Sequence, residues 1–341
     1  MKKYRFGIIA VCVIGIMIIF GLYVQDRKRT EEPQVVKIGV SVYKANDTFI
    51  ASIISNLDAI VKEQEKQNHL TIKLDISDGK ENQAEQNEQV ERYIALDYDV
   101  ICVNLVDRTN AAALIDRAAM AQIPLIFFNR EPVEEDMSRS DQVYYIGSDA
   151  KKSAIIQGKI VLDAYHTNPK SIDQNGDGII EYAMLEGEAG HQDTIIRTEY
   201  SVQTLEQGGM NLNKVVGFVA NFDRNQAAAA LEQWLLTQQD VKLELIISNN
   251  DDMALGAADA LEKVGKERCA IVGIDGTPMG IEAVQAGRLL GTAVSDAKVY
   301  AENIFEVAYA CGQGKPIPDT VVMDTDRYVW IPWKSCTKEY Q

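Results

Sequence analysis

Short apolar segments alternate with longer amphipathic segments through most of this chain. Residues 35–42, 100–105 and 124–128 are short and rich in branched or aromatic apolar residues, whereas residues 49–65 carry isoleucine, leucine and valine at helical spacing. Near-continuous apolar strands separated by helices are typical of parallel βαβ units with helices on both faces of a sheet. The pattern therefore predicts an α/β fold.

The alternation starts again after residue 140. Helical periodicity at residues 150–165 is followed by apolar segments at 181–185, 215–219, 243–248 and 269–274, again with helical stretches between them. A length of 341 residues suits two domains of ordinary size. We therefore expect two doubly wound parallel-sheet lobes in one chain.

The N-terminus has the features of a membrane-directed segment. Lys2, Lys3 and Arg5 precede an uncharged apolar run at residues 6–24, which is long enough to span a bilayer core of about 30 Å as a helix. A cleaved secretory signal is the alternative, but residues 21–25 lack the small-residue pattern of a cleavage site. The sequence predicts a signal-anchor and linker at residues 1–35, with one transmembrane helix tethering an extracytoplasmic body. If the segment is cleaved, the body is periplasmic or secreted.

The charge balance limits the partners. There are 34 basic and 50 acidic residues, for a net charge of −16, and six of the basic residues lie in the first 30 positions. The body is therefore strongly acidic, which disfavours binding to nucleic acid and suits neutral ligands, cations or a basic protein surface. No Cys/His metal spacing is present, and the sequence leaves open whether Cys311 and Cys336 pair.

Polar and aromatic residues follow six of the predicted strands. In open α/β sheets, ligands bind at the carboxyl ends of the strands, so residues at these points are informative. Asp and Asn could simply cap the following helices, but capping does not require aromatic residues beside them. Planar Asp, Asn and Arg groups can pair with adjacent sugar hydroxyls, and aromatic rings can stack on the apolar face of a sugar. The strand ends that show this pattern are residues 44–49, Asn104, residues 188–193 with Arg197 four residues after Asp193, residues 221–223, residues 249–251 and Asp275, and the aromatic candidates among them are Phe49 and Phe222.

Residues 173–181 have the spacing of a calcium-binding loop. Asp173, Asn175, Asp177 and Glu181 supply oxygen atoms at relative positions 1, 3, 5 and 9, and a glycine stands at position 6. Position 7 would use the carbonyl group of Ile179. Position 12 is a methionine instead of the usual Glu, so the last ligand must come from elsewhere in the fold. A simple polar turn is the alternative, and we expect a structural calcium ion.

Several further segments carry a family resemblance. They lie at residues 38–40, 103–107, 127–132, 155–158 and 249–251, in addition to the calcium loop. With them, residues 36–333 resemble the type I periplasmic sugar-binding protein family, and in particular its galactose/glucose-binding branch. The resemblance implies a binding protein in which two lobes close on a monosaccharide by a hinge motion.

The resemblance assigns roles to individual residues. It implies that Asp47, Asn104, His191, Asp193, Arg197, Asn250 and Asp275 hydrogen-bond the sugar and that Phe49 and Phe222 stack on it. Phe222 stands where the family has Trp, and Ser295 stands where the family has Asn, so Ser295 would lose a hydrogen bond or need a water. For calcium, the resemblance implies Asp173, Asn175, Asp177, Ile179 and Glu181, with Glu244 closing the site.

The resemblance also implies three hinge crossings, near residues 123–124, 295–296 and 330–331. The N-lobe would comprise residues 36–123 and 296–330, and the C-lobe 124–295 and 331–341. The implied function is an extracytoplasmic binding protein for D-galactose or D-glucose, a monomer that feeds an ABC permease without catalysis. A sensing role, in which the closed form meets a chemoreceptor or sensor kinase, is the alternative.

An enzyme is a third class. His191 with Asp193 could suggest acid–base chemistry, and Asp193 with Asp275 could imitate the paired carboxylates of a glycosidase. However, the sequence has no nucleophile elbow and no phosphate-binding glycine loop. The residues therefore favour binding over catalysis.

Overall fold

Two parallel sheets form the centre of the molecule. The computed structural model describes residues 35–68, 71–238, 241–266, 269–324 and 327–338. The first sheet has the strand order β11-β5-β4-β3-β1-β2 and the second β12-β10-β9-β8-β6-β7, and within them only β12 is antiparallel to its neighbour. The strands are β1 (Val35–Val42), β2 (Thr71–Asp78), β3 (Val100–Val103), β4 (Leu125–Phe128), β5 (Val143–Gly147), β6 (Ile180–Glu186), β7 (Leu212–Val219), β8 (Leu245–Ser248), β9 (Ala270–Asp275), β10 (Gly291–Ser295), β11 (Tyr328–Trp330) and β12 (Trp333–Thr337).

Helices cover both faces of each sheet, as the alternating pattern predicts. In the first lobe, α1 and α10 pack on one face and α2 and α3 on the other; in the second lobe, α7, α8 and α9 oppose α5 and α6. The predicted two-lobe α/β fold with parallel sheets is therefore confirmed. The helices are α1 (Thr48–Asn68), α2 (Gln83–Ala95), α3 (Ala111–Met120), α4 (Glu134–Met137), α5 (Ala150–Thr167), α6 (Gln192–Gln207), α7 (Arg224–Thr237), α8 (Asp251–Val264), α9 (Pro278–Gln285) and α10 (Ala297–Gly312).

The strands are apolar along their whole length because both of their faces are buried. In β3, Val100 and Cys102 enter the core under α1 and α10, whereas Ile101 and Val103 enter the core under α2 and α3. Burial on two faces removes the alternation of polar and apolar residues that a half-exposed strand would show. This explains why the sequence signal is a continuous apolar run.

The chain passes between the lobes three times. It leaves the first sheet after β5, returns to the first lobe between β10 and α10, and leaves again between β11 and β12. The predicted first crossing near residues 123–124 is wrong, because β4 and β5 both pair within the first sheet. The first lobe thus extends to Gly147, and residues 124–147 belong to it instead of to the second lobe.

Two predictions concern the termini and the cysteines. The predicted membrane helix at residues 6–24, and all but the last residue of the predicted 1–35 segment, lie outside the described residues. Within the described part of the chain, no helix is both long enough and apolar enough to cross a membrane.

Cys311 and Cys336 are free thiols, since Cys311 packs in the first lobe and Cys336 in the second.

Candidate functional site

A cavity lies between the two lobes, at the carboxyl ends of strands from both sheets. Eight of the ten residues predicted to contact a sugar line it, and we call it the inner cavity. Its lining residues are Tyr43, Asp47, Phe49, Ile50, Asn129, Arg130, His191, Asp193, Arg197, Phe222, Asn250 and Asp275.

The first lobe contributes a carboxylate and an aromatic ring at the start of α1. Asp47 accepts hydrogen bonds from the hydroxyl of Tyr43 at 2.7 Å and from the backbone N–H of Ile50 at 2.8 Å. The ring of Phe49 meets Tyr300 edge-on, with 5.7 Å between ring centroids. Helix capping therefore fixes Asp47, and core packing fixes Phe49.

The second lobe contributes a buried arginine between two carboxylates. Arg197 lies 2.9 Å from Asp193 and 3.7 Å from Asp275, and it also donates to the carbonyl of Asn249 at 2.9 Å. Burial raises the pKa of Asp275 well above its usual range, and the nearby Arg197 opposes that rise. The Nε atom of Arg197 is buried and has no hydrogen-bond partner among the described residues. The arrangement thus keeps a hydrogen-bond donor available beside two acceptors.

His191 caps the helix that carries Asp193 and Arg197. Its Nδ1 atom accepts a hydrogen bond from the backbone N–H of Asp193 at 3.1 Å. Burial lowers the pKa of His191 to about 4, so the imidazole is neutral at pH 7. Since Nδ1 accepts, the proton of the neutral ring is assigned to Nε2, which makes that atom a donor.

Phe222 is held as a rigid aromatic wall. Its ring stands nearly perpendicular to that of His191, with 5.4 Å between centroids, and its backbone has a left-handed φ of 58°. Asn250 donates from Nδ2 to the Phe222 carbonyl at 3.1 Å. Gly187 lies directly against the ring, because a Cβ atom there would come within 2.1 Å of it. The position of Phe222 therefore depends on a glycine and an asparagine in neighbouring loops.

Asn104 and Ser295 do not line the inner cavity. Asn104 is fully buried, where its Nδ2 donates to Phe128 and Asn129, both at 3.2 Å, and its Oδ1 accepts from the N–H of Tyr43 at 3.4 Å. Asn104 therefore holds two lining residues, Tyr43 and Asn129, in place from outside the cavity.

Ser295 lies at the second crossing between the lobes. Its hydroxyl bonds that of Ser148 at 2.8 Å, and Ser148 also accepts from the hydroxyl of Tyr300 at 2.9 Å. Ser295 thus belongs to a chain of three hydroxyls where two of the crossings meet, outside the lining of the inner cavity, and its contact with a sugar stays a prediction.

Four lining residues were missed at the level of sequence: Tyr43, Ile50, Asn129 and Arg130. The most informative is Arg130, whose guanidinium lies 3.6 Å from the ring centroid of Tyr43 and 2.6 Å from Glu188 of the second lobe. Asn129 and Arg130 directly follow β4. The strand-end rule applied to that strand would have found them.

Three side-chain pairs join the lobes around the cavity. Besides Arg130 with Glu188, Thr48 donates to Asp252 at 2.6 Å, and Gln192 donates to Glu131 at 3.2 Å. The inner cavity holds only about 40 Å³ of open space. The structure is therefore a closed form, and a ligand of hexose size enters only when the lobes separate.

The predicted calcium loop folds around a buried carboxylate. Glu244, directly before β8, is only 1% exposed and accepts from the backbone N–H groups of Gln174 at 2.8 Å, Asn175 at 3.1 Å and Glu181 at 3.3 Å. Asp173 accepts from the N–H groups of two loop glycines. Asp177 accepts from the N–H of Ile179 at 2.8 Å. The fold thus brings Glu244 to the loop, and its role as a calcium ligand stays a prediction.

The donor types in this loop suit calcium, although the side chains do not form a shell. Carboxylate, amide and carbonyl oxygens are the ligands that calcium prefers. Glu181 has a buried Oε2 atom without a hydrogen-bond partner in the described chain, and burial together with Glu244 and Asp177 raises its pKa. However, in the parts of the chain that are described, no three His, Cys, Asp or Glu side chains converge closely enough to share one metal ion.

The chain is similar to known proteins over most of its length. Residues 38–316 match the periplasmic binding protein domain. The chain is 32% identical over 304 residues to the D-galactose/methyl-galactoside binding periplasmic protein MglB of Haemophilus influenzae, covering 89% of this chain and 90% of that protein. It is 28% identical to the ribose import binding protein RbsB of Salmonella typhimurium, covering 75% and 77% of the two chains.

A solved structure supports the same assignment. An ABC transporter solute binding protein from Bacillus halodurans with bound myo-inositol superposes with a TM-score of 0.72 at 29% identity, covering 89% of this chain and 95% of that one. These relatives are solute-binding proteins and not enzymes. The chain therefore belongs to the type I periplasmic sugar-binding protein family, whose members work outside the cytoplasm.

Proposed function

We propose that this protein is the extracytoplasmic binding component of an ABC sugar transporter and that its ligand is D-galactose or D-glucose. The observation that carries the proposal is the inner cavity. There, carboxylates, two arginines and a neutral histidine come together with aromatic side chains that include Phe49 and Phe222. The likeness to a galactose-binding relative over most of both chains supports the same ligand class.

The polar groups of the cavity suit the hydroxyls of a neutral sugar. Asp193 and Asp275 offer acceptors on either side of Arg197, which offers donors, so adjacent hydroxyls can each donate and accept. Because the surrounding loops hold these groups in place, little ordering is needed when the ligand binds.

The charge of the cavity favours a ligand without an acidic group. Arg130 is paired with Glu188, and Arg197 is paired with two aspartates. Asp47 adds a further carboxylate that receives only neutral donors in the hydrogen bonds described above. Sugar acids and sugar phosphates would therefore meet a net negative surface.

Hinge closure couples binding to delivery. A ligand that contacts both lobes stabilises the closed form, in which the pairs Arg130–Glu188, Thr48–Asp252 and Gln192–Glu131 form. A permease that binds this form better than the open one would receive loaded protein selectively. A chemoreceptor or sensor kinase could read the same closed form, and it remains the alternative partner.

Titration calorimetry of the purified chain tests the ligand. We expect tight binding of D-galactose or D-glucose and weak binding of ribose, xylose and D-galacturonic acid, with myo-inositol included because a related structure contains it. Tight binding of a pentose or of myo-inositol with no response to either hexose would overturn the hexose assignment. No heat with any sugar would overturn the sugar-binding proposal itself.

A structural calcium ion in the loop at residues 173–181 is part of the proposal. Asp173, Asn175, Asp177, the carbonyl of Ile179, Glu181 and Glu244 would hold it. Burial raises the pKa of Glu181, and repulsion from Glu244 and Asp177 adds to that rise. The ion would neutralise this repulsion. Its role would be to stabilise the second lobe, since the loop lies at the end of β6 opposite to the cavity.

Membrane tethering is the last part of the proposal. The uncharged run at residues 6–24 would anchor the protein beside its permease. Cell fractionation tests it: we expect the protein in the membrane fraction, with release by detergent and not by high salt. Recovery of a shortened, fully soluble chain would show that the segment is cleaved.

A further inference from the structure

The buried arginine of the inner cavity is fixed along its edge by three partners in the second lobe. Arg197 meets Asp193 at 2.9 Å, Asp275 at 3.7 Å and the carbonyl of Asn249 at 2.9 Å, in each case through a terminal nitrogen, Nη1 or Nη2. Because the donors of a guanidinium group lie in one plane, these contacts act on its edge and leave its two flat faces to other neighbours.

Trp333 is a neighbour of this group outside the set of cavity residues. The guanidinium carbon Cζ of Arg197 lies over the indole ring, 5.8 Å from the ring centroid. This distance is within the range in which a cation is attracted to an aromatic face, and Trp is the strongest aromatic partner. Trp333 does not line the inner cavity, so its route to a bound ligand passes through Arg197.

The N–H group of Trp333 does not account for a tryptophan at this position. A buried Trp usually donates its N–H to an acceptor. The Nε1 atom of Trp333 is buried and has no hydrogen-bond partner among the described residues. The surface of the ring is therefore what this side chain contributes.

The backbone that carries the ring is held by the other two crossings. Trp333 is the first residue of β12, directly after the third crossing, and it pairs in register with Ser295 at the second crossing. Two residues earlier, the N–H of Ile331 donates to the carbonyl of Gly147 at the first crossing, at 2.7 Å. The indole ring thus projects from a fixed point, as a residue that supports another side chain requires.

We infer that Trp333 is a positioning residue for sugar binding. Its ring holds the guanidinium group of Arg197 from one face while the carboxylates hold the edge. The Nε atom of Arg197, which is buried and has no partner among the described residues, then keeps one direction as a donor for the ligand. This inference rests on the proposed function, because it takes Arg197 as a sugar-binding residue.

Two substitutions of Trp333 test the inference. Trp333→Phe keeps an aromatic face and removes the N–H, whereas Trp333→Leu keeps apolar bulk and removes the aromatic face. Titration calorimetry of the full chain measures the affinity of each variant for D-galactose and D-glucose. We expect Trp333→Leu to bind the better hexose about tenfold more weakly than the unmodified protein, and Trp333→Phe to bind it within about twofold.

Trp330 offers a matched control on the first-lobe side of the same crossing. It stacks on Tyr328, with 5.9 Å between ring centroids, and meets Tyr145 edge-on at 5.7 Å. Trp330→Leu should lower the melting temperature because it removes these ring contacts, and it should leave hexose affinity within about twofold.

A double-mutant cycle shows whether Trp333 acts through Arg197. Arg197→Gln removes the cation, so Trp333→Leu should change hexose affinity by less than about twofold in that background. If Trp333 only stabilises the second lobe, the same substitution should cost the same factor in both backgrounds.

The outcomes separate this inference from the proposed function. If the unmodified protein binds a hexose, three results would each overturn the inference alone: equal affinities of the Phe and Leu variants, an equal loss in Trp330→Leu, or an undiminished loss in the Arg197→Gln background. If Arg197→Gln does not fold, the first two comparisons decide. If the unmodified protein binds no hexose, the proposed function fails and the inference fails with it.

Discussion

The inner cavity and the loop at residues 173–181 both contain several carboxylates, but the partners of those carboxylates differ. In the cavity, Asp193 and Asp275 face the guanidinium of Arg197. In the loop, Asp173 and Glu244 accept from backbone N–H groups, which are dipoles without a full charge. A site that already contains its counter-charge suits a neutral ligand, whereas a site that has only dipoles suits a cation.

The largest effect should come from removing the buried carboxylate of the cavity. Asp275→Ala deletes one acceptor and leaves Arg197 with Asp193 as its remaining carboxylate partner in the cavity, so we expect hexose affinity to fall at least about a hundredfold. Titration calorimetry measures it, and circular dichroism checks the fold. Asp58→Ala, on the exposed part of α1, is the matched control. An unchanged affinity in Asp275→Ala would remove this residue from the site.

The second-largest effect should come from removing the proposed calcium ion from the loop at residues 173–181. Chelation of calcium with EGTA should lower the melting temperature by at least about 5 °C when free calcium had been about a hundredfold above its Kd, because the ion binds only the folded state. Differential scanning calorimetry measures the shift. Glu244→Gln is the matched variant and should reduce the response to calcium. A melting temperature indifferent to EGTA would mean that the loop is only a polar turn.

A smaller effect should follow from removing the aromatic ring of Phe222. Phe222→Ala removes one stacking face, and we expect hexose affinity to fall about tenfold. Phe222→Trp keeps an aromatic face at the same position and should bind within about threefold of the unmodified protein, provided that Gly187 leaves room for it. Equal affinities for the alanine and tryptophan variants would show that this ring does not stack on the sugar.

The smallest effect should come from His191, whose titration makes the stability of the fold depend on pH. Burial lowers the pKa of His191 to about 4, below the value of 6.5 for an exposed histidine. Between these values the unfolded state binds a proton that the folded state does not, so acidification from pH 7 to pH 5 destabilises the fold through this group. Urea unfolding at both pH values should therefore show a smaller loss for His191→Asn than for the unmodified protein. An identical loss would assign no such role to His191.

The alternation of strands and helices could be predicted from the sequence because it depends on local patterns of residues. Apolar runs such as residues 100–103 and 125–128 identify buried parallel strands wherever they occur. The lobe to which a strand belongs is not local, since it depends on pairing such as Ile101 with Leu125 and Tyr145 with Tyr328. The position of the first crossing near residues 123–124 was implied by the resemblance, and no local pattern could correct it, since the crossing after β5 is defined by strand pairing.

The site was predictable to a similar extent and for a similar reason. Asp47, His191 and Asp275 follow strands or begin helices, and the carboxyl ends of parallel strands meet at one edge. Ser295 is also at a strand end, as the last residue of β10, but its hydroxyl bonds Ser148 of another crossing. Only the three-dimensional path of the chain reveals that contact. Arg130 is the opposite case: it follows β4 directly, so the strand-end rule could have predicted it from the sequence.

The three crossings have a consequence for the order in which the protein can be completed during synthesis. The first lobe needs α10 and β11, which the ribosome makes only after all but the last strand of the second lobe. The core under α1 and α10 therefore cannot close before almost the entire chain has emerged, whereas the buried core residues of the second lobe all come from residues 160–289. The lobe that is made first is thus the lobe that is completed last, and a late completion suits a chain that is exported before it has folded.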